Sequence, residues 1–142
     1  MVVYLASPIG STEPKDKGVW SSSDWKLSRN DEIASALKEI GLDVYVPHHH
    51  QNMSMEDVWE EQKRIIKDCE FLILVLSDTR GIYIEAGFAK ALGKKVYALR
   101  VDETRQYSSW LDAVCDYVAQ DLDELVNFLT IDGVLAENKS GG

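Results

Sequence analysis

The chain has 142 residues, 45% of them hydrophobic and 27% charged, and a formal net charge of −9. That length fits one domain able to bury roughly 70% of its unfolded surface. The acid excess excludes a sequence-independent grip on nucleic acid, which needs clustered Lys and Arg, although backbone N–H groups can still hold a small anion.

The opening run Val2-Val3-Tyr4-Leu5-Ala6 is too short for a signal-peptide core, and no run approaches membrane-spanning length, so no membrane partner is expected. It reads as a first strand, ended by the loop Ser7-Pro8-Ile9-Gly10-Ser11. Residues 11–23 are rich in Ser, Gly, Lys and Asp and read as a long loop. A helix is expected from about Asp24 to Ile40, with Ile33, Leu37 and Ile40 on one face and Gly41 as its stop. A short strand follows over Asp43–Val46, broken by Pro47. Met55–Asp68 reads as a second helix, with Val58, Ile65 and Cys69 roughly aligned. The unbroken apolarity of Phe71–Leu76 marks a strand buried on both faces. Tyr83–Leu92 reads as a helix closed by Gly93, and Lys95–Leu99 as a fourth strand. Ser109–Cys115 is a short helix, Tyr117–Ala119 a last strand, and Asp121–Leu129 a closing amphipathic helix. Residues 1–132 form the expected domain, and 133–142 a polar tail.

Strands alternating with helices predict a single doubly wound α/β domain, its five-stranded parallel sheet ordered 2-1-3-4-5 with helices on both faces. In that order the first and third strands end together at a switch point, where open α/β folds bind ligands. The Ser7–Ser11 loop and the Asp78–Glu85 turn would line one cleft there. Glu85 is placed in the first turn of its helix, where the dipole favours an ionised carboxylate. A charged carboxylate at the mouth of a cleft is a candidate nucleophile. Gly87 is expected to allow close helix–sheet packing. The two cysteines, Cys69 and Cys115, form no metal-like pair and fit small core residues of a reducing, cytoplasmic protein.

Three ordered pieces carry a resemblance to a known family. They are Tyr4-Leu5-Ala6-Ser7 on the first strand, Ile65-Ile66-Lys67-Asp68-Cys69-Glu70 ahead of the third, and the set Gly81, Glu85, Gly87, Ala89, Ala91 and Lys94. Over about the first 130 residues the chain resembles the nucleoside 2-deoxyribosyltransferases, including their hydrolase branch, the deoxynucleoside 5′-monophosphate N-glycosidases. The resemblance implies that Glu85 attacks the anomeric carbon of a (deoxy)ribosyl group through an oxocarbenium-like transition state, leaving a covalent glycosyl-enzyme intermediate. Transfer to a second base makes a transferase; capture by water makes a hydrolase. Tyr4 matches the tyrosine that orients the nucleophile. No metal or organic cofactor is implied, and the partners implied are a small nucleoside or nucleotide and further copies of the chain in a homo-oligomer.

The departures bear on mechanism. Where the family commonly has an Asp to protonate or hold the leaving base, this chain has Gln62 beside Glu61. An amide is no general acid, so either Glu61 takes the role or the base leaves with other help. Thr79 stands where transferases tend to carry an Asp and the monophosphate hydrolases a Ser. Ser109 falls where transferases often show Asn and the hydrolases Ser, on a segment reaching a neighbouring subunit's site. Ser7, Pro8, Ile9, Gly10, Asp78, Thr79, Gly81 and Ser109 are therefore the substrate-binding candidates, with hydroxyls and N–H groups suited to a 5′-phosphate.

Other residues invite blander explanations. His48, His49 and His50 cannot converge on one ion from an extended segment, because successive side chains alternate in direction. Trp20 and Trp25 suit loop anchors or a stacking wall, Trp59 and Trp110 core or subunit contacts, and Lys94-Lys95 a helix C-terminal charge complement. A non-catalytic nucleotide-binding module on the same fold is the alternative from a different class. A Toll/interleukin-receptor-like NAD glycohydrolase fits the spacing around Glu85 less well.

Overall fold

A computed structural model of the chain describes residues 2–7, 24–46, 54–76, 80–101 and 109–132, with side chains from residue 28 in the first helix and from residue 81 in the third. The strands are β1 (Val2–Ala6), β2 (Asp43–Tyr45), β3 (Phe71–Val75), β4 (Lys95–Leu99) and β5 (Tyr117–Ala119). The helices are α1 (Asp24–Glu39), α2 (Met55–Asp68), α3 (Arg80–Ala91), α4 (Ser109–Val114) and α5 (Leu122–Asn127), the last continued by a π-helical turn over Phe128–Asp132. The sheet runs β2-β1-β3-β4-β5, and every pairing is parallel. This is the doubly wound order expected from the alternation of apolar runs and helical patterns.

All five residues of β3 are buried, as a central strand covered on both faces requires. Its side chains alternate between two cores. Phe71, Ile73 and Val75 meet Ile33 and Leu37 of α1 and Leu125 of α5 on one face. Leu72 and Leu74 meet Ile66 of α2, Ile82, Ala86 and Ala89 of α3 and Leu111 of α4 on the other. Tyr4 of β1 belongs to this second face.

Boundaries differ from the sequence expectation in instructive ways. α3 starts at Arg80, three residues before Tyr83, and its first turn carries no acid. β2 stops at Tyr45, one residue before Val46. On α2 the fully buried residue is Ile66, whereas Val58 and Ile65 are half-buried. Gly41 and Gly93 do end their helices, with φ of 96° and 79°, a left-handed turn that glycine adopts without steric cost. Gly87 departs from its expected role: it is exposed, and a Cβ there would meet nothing within 4 Å. Close helix–sheet packing instead falls to Ala86 and Ala89, one turn apart on the buried face.

Caps and cross-links fix the helices to the sheet. Ser54 accepts the Asp57 N–H at 3.1 Å and starts α2. Lys94 donates to the Cys69 carbonyl at 2.7 Å, so this motif lysine complements the C-terminal cap of α2, not only its own helix. Asp116 accepts from Lys90 at 2.9 Å and from the Val96 N–H at 2.8 Å, tying α3 to β4. The expected loop over residues 11–23, Pro47, His48, His49, His50, Trp20 and the tail at 133–142 lie outside the described residues.

Candidate active site

The site grows from β1 and the start of α3, on the side of the sheet that also carries α2 and α4. Tyr4 is the third residue of β1 and is wholly buried. Ile82, Ala86 and Ala89 turn α3 onto the sheet. At 100° per residue, Glu85 lies at the rim of that buried face. A helical side chain leans toward the helix N-terminus, which aims Glu85 back over Gly81. A Cβ on Gly81 would stand 3.8 Å from Glu85 Oε1. Glu85 is partly exposed as a residue, yet its Oε2 is enclosed and has no hydrogen-bond partner among the described residues.

The Tyr4 hydroxyl is likewise buried without a partner at full hydrogen-bond geometry. The two groups nevertheless act on each other. Burial pushes the Glu85 carboxyl up to about 7, and the Tyr4 hydroxyl opposes that rise. Burial also drives the Tyr4 phenol far above its usual range, and the Glu85 carboxylate drives it further. Tyr4 is therefore a donor at every working pH. Near neutrality Glu85 is divided between its acid and its carboxylate. The first-turn placement, with the dipole holding Glu85 ionised, does not hold. Glu85 is in the second turn of α3, beyond the first turn where the dipole acts, and burial raises its carboxyl.

The remaining candidates are distributed unevenly. Glu61 and Gln62 are half-buried on α2, and the Glu61 charge reaches Tyr45, whose phenol is raised by burial first and by Glu61 and Glu85 after it. A shallow depression of about 410 Å³ along α2 is lined by Glu60, Glu61, Lys63, Arg64 and Lys67 and does not include Glu85. Ser7 donates its hydroxyl proton to Asn30 Oδ1 at 2.5 Å, so toward a ligand this hydroxyl offers lone pairs only. Ser109 opens α4 and is exposed. Pro8, Ile9, Gly10, Asp78 and Thr79 lie outside the described residues, as does the side chain of Trp25. Trp59 packs edge-on against Phe88 at 5.4 Å under Lys63, a packing role between α2 and α3. Trp110 is 75% exposed in the single chain, so it is no core residue. Among the described residues no cluster of His, Cys, Asp or Glu is arranged to hold a metal ion. No helix there is long and apolar enough to cross a membrane.

Two site residues escaped the sequence reading. Asn30 is fully buried, with its Nδ2 unpartnered among the described residues. Its signal was a polar residue at position 30, in line with Ile33 and Leu37 on the α1 core stripe, where an apolar one belongs. Tyr45 stacks on Tyr4, with ring centroids 5.3 Å apart and planes inclined by 19°. Its signal was a tyrosine third in β2, as Tyr4 is third in β1.

The doubly wound parallel sheet thus brings a carboxylate and a tyrosine hydroxyl together near its switch point, where open α/β folds bind small ligands. The family model for nucleoside 2-deoxyribosyltransferases matches residues 3–138. The chain belongs to the nucleoside 2-deoxyribosyltransferase family, and with it to the enzymes of the N-glycosidic bond. Solved structures share the fold at low identity. A CMP N-glycosidase from Clostridium botulinum is 20% identical with a TM-score of 0.62, over 92% of this chain and all of that one. A 2-deoxyribosyltransferase from Bacillus psychrosaccharolyticus is 18% identical with a TM-score of 0.68, over 89% and 91%. One from Leishmania mexicana is 15% identical with a TM-score of 0.62, over 92% and 97%. No curated protein matches the sequence.

Proposed function

We propose that this protein cleaves the N-glycosidic bond of 2′-deoxynucleosides and transfers the sugar to a second base, with Glu85 as nucleophile. The observation that carries this is the enclosed Glu85 carboxylate facing the Tyr4 hydroxyl at the carboxyl edge of the sheet. Ionised Glu85 attacks C1′ as the C1′–N bond breaks, and the bonding electrons leave with the base. A proton from Glu61, or from solvent in its absence, neutralises that base, because Gln62 has none to give. A second base then attacks C1′ through a ring nitrogen, breaking the Glu85–C1′ ester bond and freeing the carboxylate. Its displaced N–H proton returns to the group or solvent that protonated the first base. Tyr4 steadies Glu85 before attack and after release. Gly81, with no side chain beside Oε1, leaves room for the sugar.

A second reading is hydrolysis of a nucleoside 5′-monophosphate, with water as acceptor. The match to the full length of a CMP N-glycosidase favours it. Ser109 and Thr79 are its candidate phosphate donors, whereas the Ser7 hydroxyl, committed to Asn30, is not. Deoxynucleosides and their 5′-monophosphates, incubated with and without an acceptor base, separate the two. Base released only with an acceptor means transfer, and base released without one means hydrolysis. No release from any of them, or full activity in Glu85→Ala, would end the proposal.

We further infer that the protein works as a homo-oligomer in a reducing compartment. Trp110 of α4 at 75% and Ile84 of α3 at 58% exposure are large apolar side chains left on the surface of the single chain, and both cysteines are free thiols. Sedimentation of the protein and of Trp110→Glu checks the first point; a monomer in both would refute it.

A further inference from the structure

We propose that Tyr45 is a positioning residue for the Tyr4–Glu85 pair: its ring, stacked on Tyr4 from the edge strand, holds the Tyr4 hydroxyl at the Glu85 carboxylate. This rests on the proposed role of Glu85. β1 and β2 are parallel with Tyr4 opposite Tyr45, so both side chains leave the same face of the sheet, about one strand spacing apart. The 5.3 Å, 19° stack is a direct consequence of that register. On the other side of Tyr4, in register on β3, stands Leu72, fully buried in the same core. The Tyr4 ring is thus held between Tyr45 and Leu72, with α3 closing over its hydroxyl end.

A ring so held has one orientation, and that orientation matters because the hydroxyl has no other partner among the described residues to anchor it. Among the described residues only the Glu85 carboxylate is within reach of the Tyr4 hydroxyl, so packing must set the orientation in which Tyr4 meets it. The side chain on the β2 side covers one flank of the ring, and β2 is only three residues long. An aliphatic residue there leaves a gap beside the Tyr4 ring.

Among the described residues, the charged and titratable groups around the pair are few. Glu85 of α3 and Cys69 at the end of α2 face Tyr4. Glu61 and Arg64 of α2, with Glu85, face Tyr45, Arg64 acting against the two acids. Both phenols stay protonated, because burial comes first among the causes for each. Tyr45 therefore acts on Glu85 through the position of Tyr4 and not by titrating.

The test follows the Glu85 carboxyl by carbon-13 NMR across pH in the full chain, its signal assigned by its loss in Glu85→Gln. Tyr45→Phe keeps the ring and should leave the Glu85 midpoint where it is. Tyr45→Leu should raise it by roughly half a pH unit or more, as Tyr4 stops donating. In a Tyr4→Phe background, Tyr45→Leu should add nothing. Turnover of deoxynucleosides should fall about tenfold in kcat for Tyr45→Leu with a smaller change in KM, and recover with Phe. An unmoved midpoint in Tyr45→Leu, an equal shift in Tyr45→Phe, or a shift that persists without the Tyr4 hydroxyl would each overturn the assignment. Tyr45→Val, which keeps a strand former on β2, replaces Leu if that variant does not fold; the Phe variant decides between ring and hydroxyl in either case. The titration needs no turnover, so a wild-type protein that releases no base would refute the proposed function while still deciding the role of Tyr45.

Discussion

The Tyr4 hydroxyl and the Glu85 carboxylate face one another in an enclosed space, and each moves the other's proton affinity. Burial lifts Glu85 to about 7, and Tyr4 limits the rise. A carboxyl so raised exchanges its proton near neutral pH, and its carboxylate form is more basic than a solvated one.

The pH dependence of kcat/KM should therefore show an acid limb near pH 7, set by Glu85. Tyr4→Phe removes the group that lowers Glu85, so the limb should move to higher pH. The rate at pH 7 should fall about tenfold. A limb near pH 4.5 in the wild type, or an unmoved limb in Tyr4→Phe, would contradict the pairing. Initial rates between pH 4 and 9 check both.

Stability should carry the same signature. The Glu85 carboxyl binds its proton more tightly in the fold, with a pKa of about 7, than at its ordinary value of 4.5. Its contribution is thus fully present below pH 4.5 and is lost as pH rises through 7. The size is on the order of 3 kcal/mol. Glu85→Gln does not titrate, so its stability relative to wild type should climb between pH 4.5 and 7 and level off above. Urea melts at pH 5 and pH 8 measure this. A pH-independent difference would mean that the carboxyl is not desolvated.

Gly87 lies in the middle of α3 with open space where a Cβ would be. Gly87→Ala should stabilise the protein by roughly 0.5–1 kcal/mol through the helix backbone alone. Chemical denaturation checks this. A destabilised variant would show that something packs against that position in the folded chain.

The fold was legible because its signals were strong and redundant. The apolar run at Phe71–Leu76, the stops at Gly41 and Gly93 and the alternation of strands and helices all agree with one topology. The site was legible only as residue types. Tyr4 and Glu85 could be chosen from the sequence, but the protonation of Glu85 could not. It depends on how deeply the fold buries the carboxyl, and the start of α3 at Arg80, three residues earlier than expected, moved Glu85 from the first turn to the second. Gly87 was misjudged because a glycine in a helix reads the same whether it faces the sheet or open space. Tyr45 and Asn30 were missed because each owes its role to a neighbour distant in sequence: Tyr4 for one, Ser7 for the other.

The most direct measurement is a trapped intermediate. The protein, mixed with a 2′-deoxynucleoside it turns over and quenched in acid within one turnover, is digested and mapped by mass spectrometry. One deoxyribosyl group should sit on the peptide carrying Glu85, fragmentation should place it on that side chain, and Glu85→Gln should carry none. Release of base with the adduct on another residue, or with undiminished turnover in Glu85→Ala, would contradict the account.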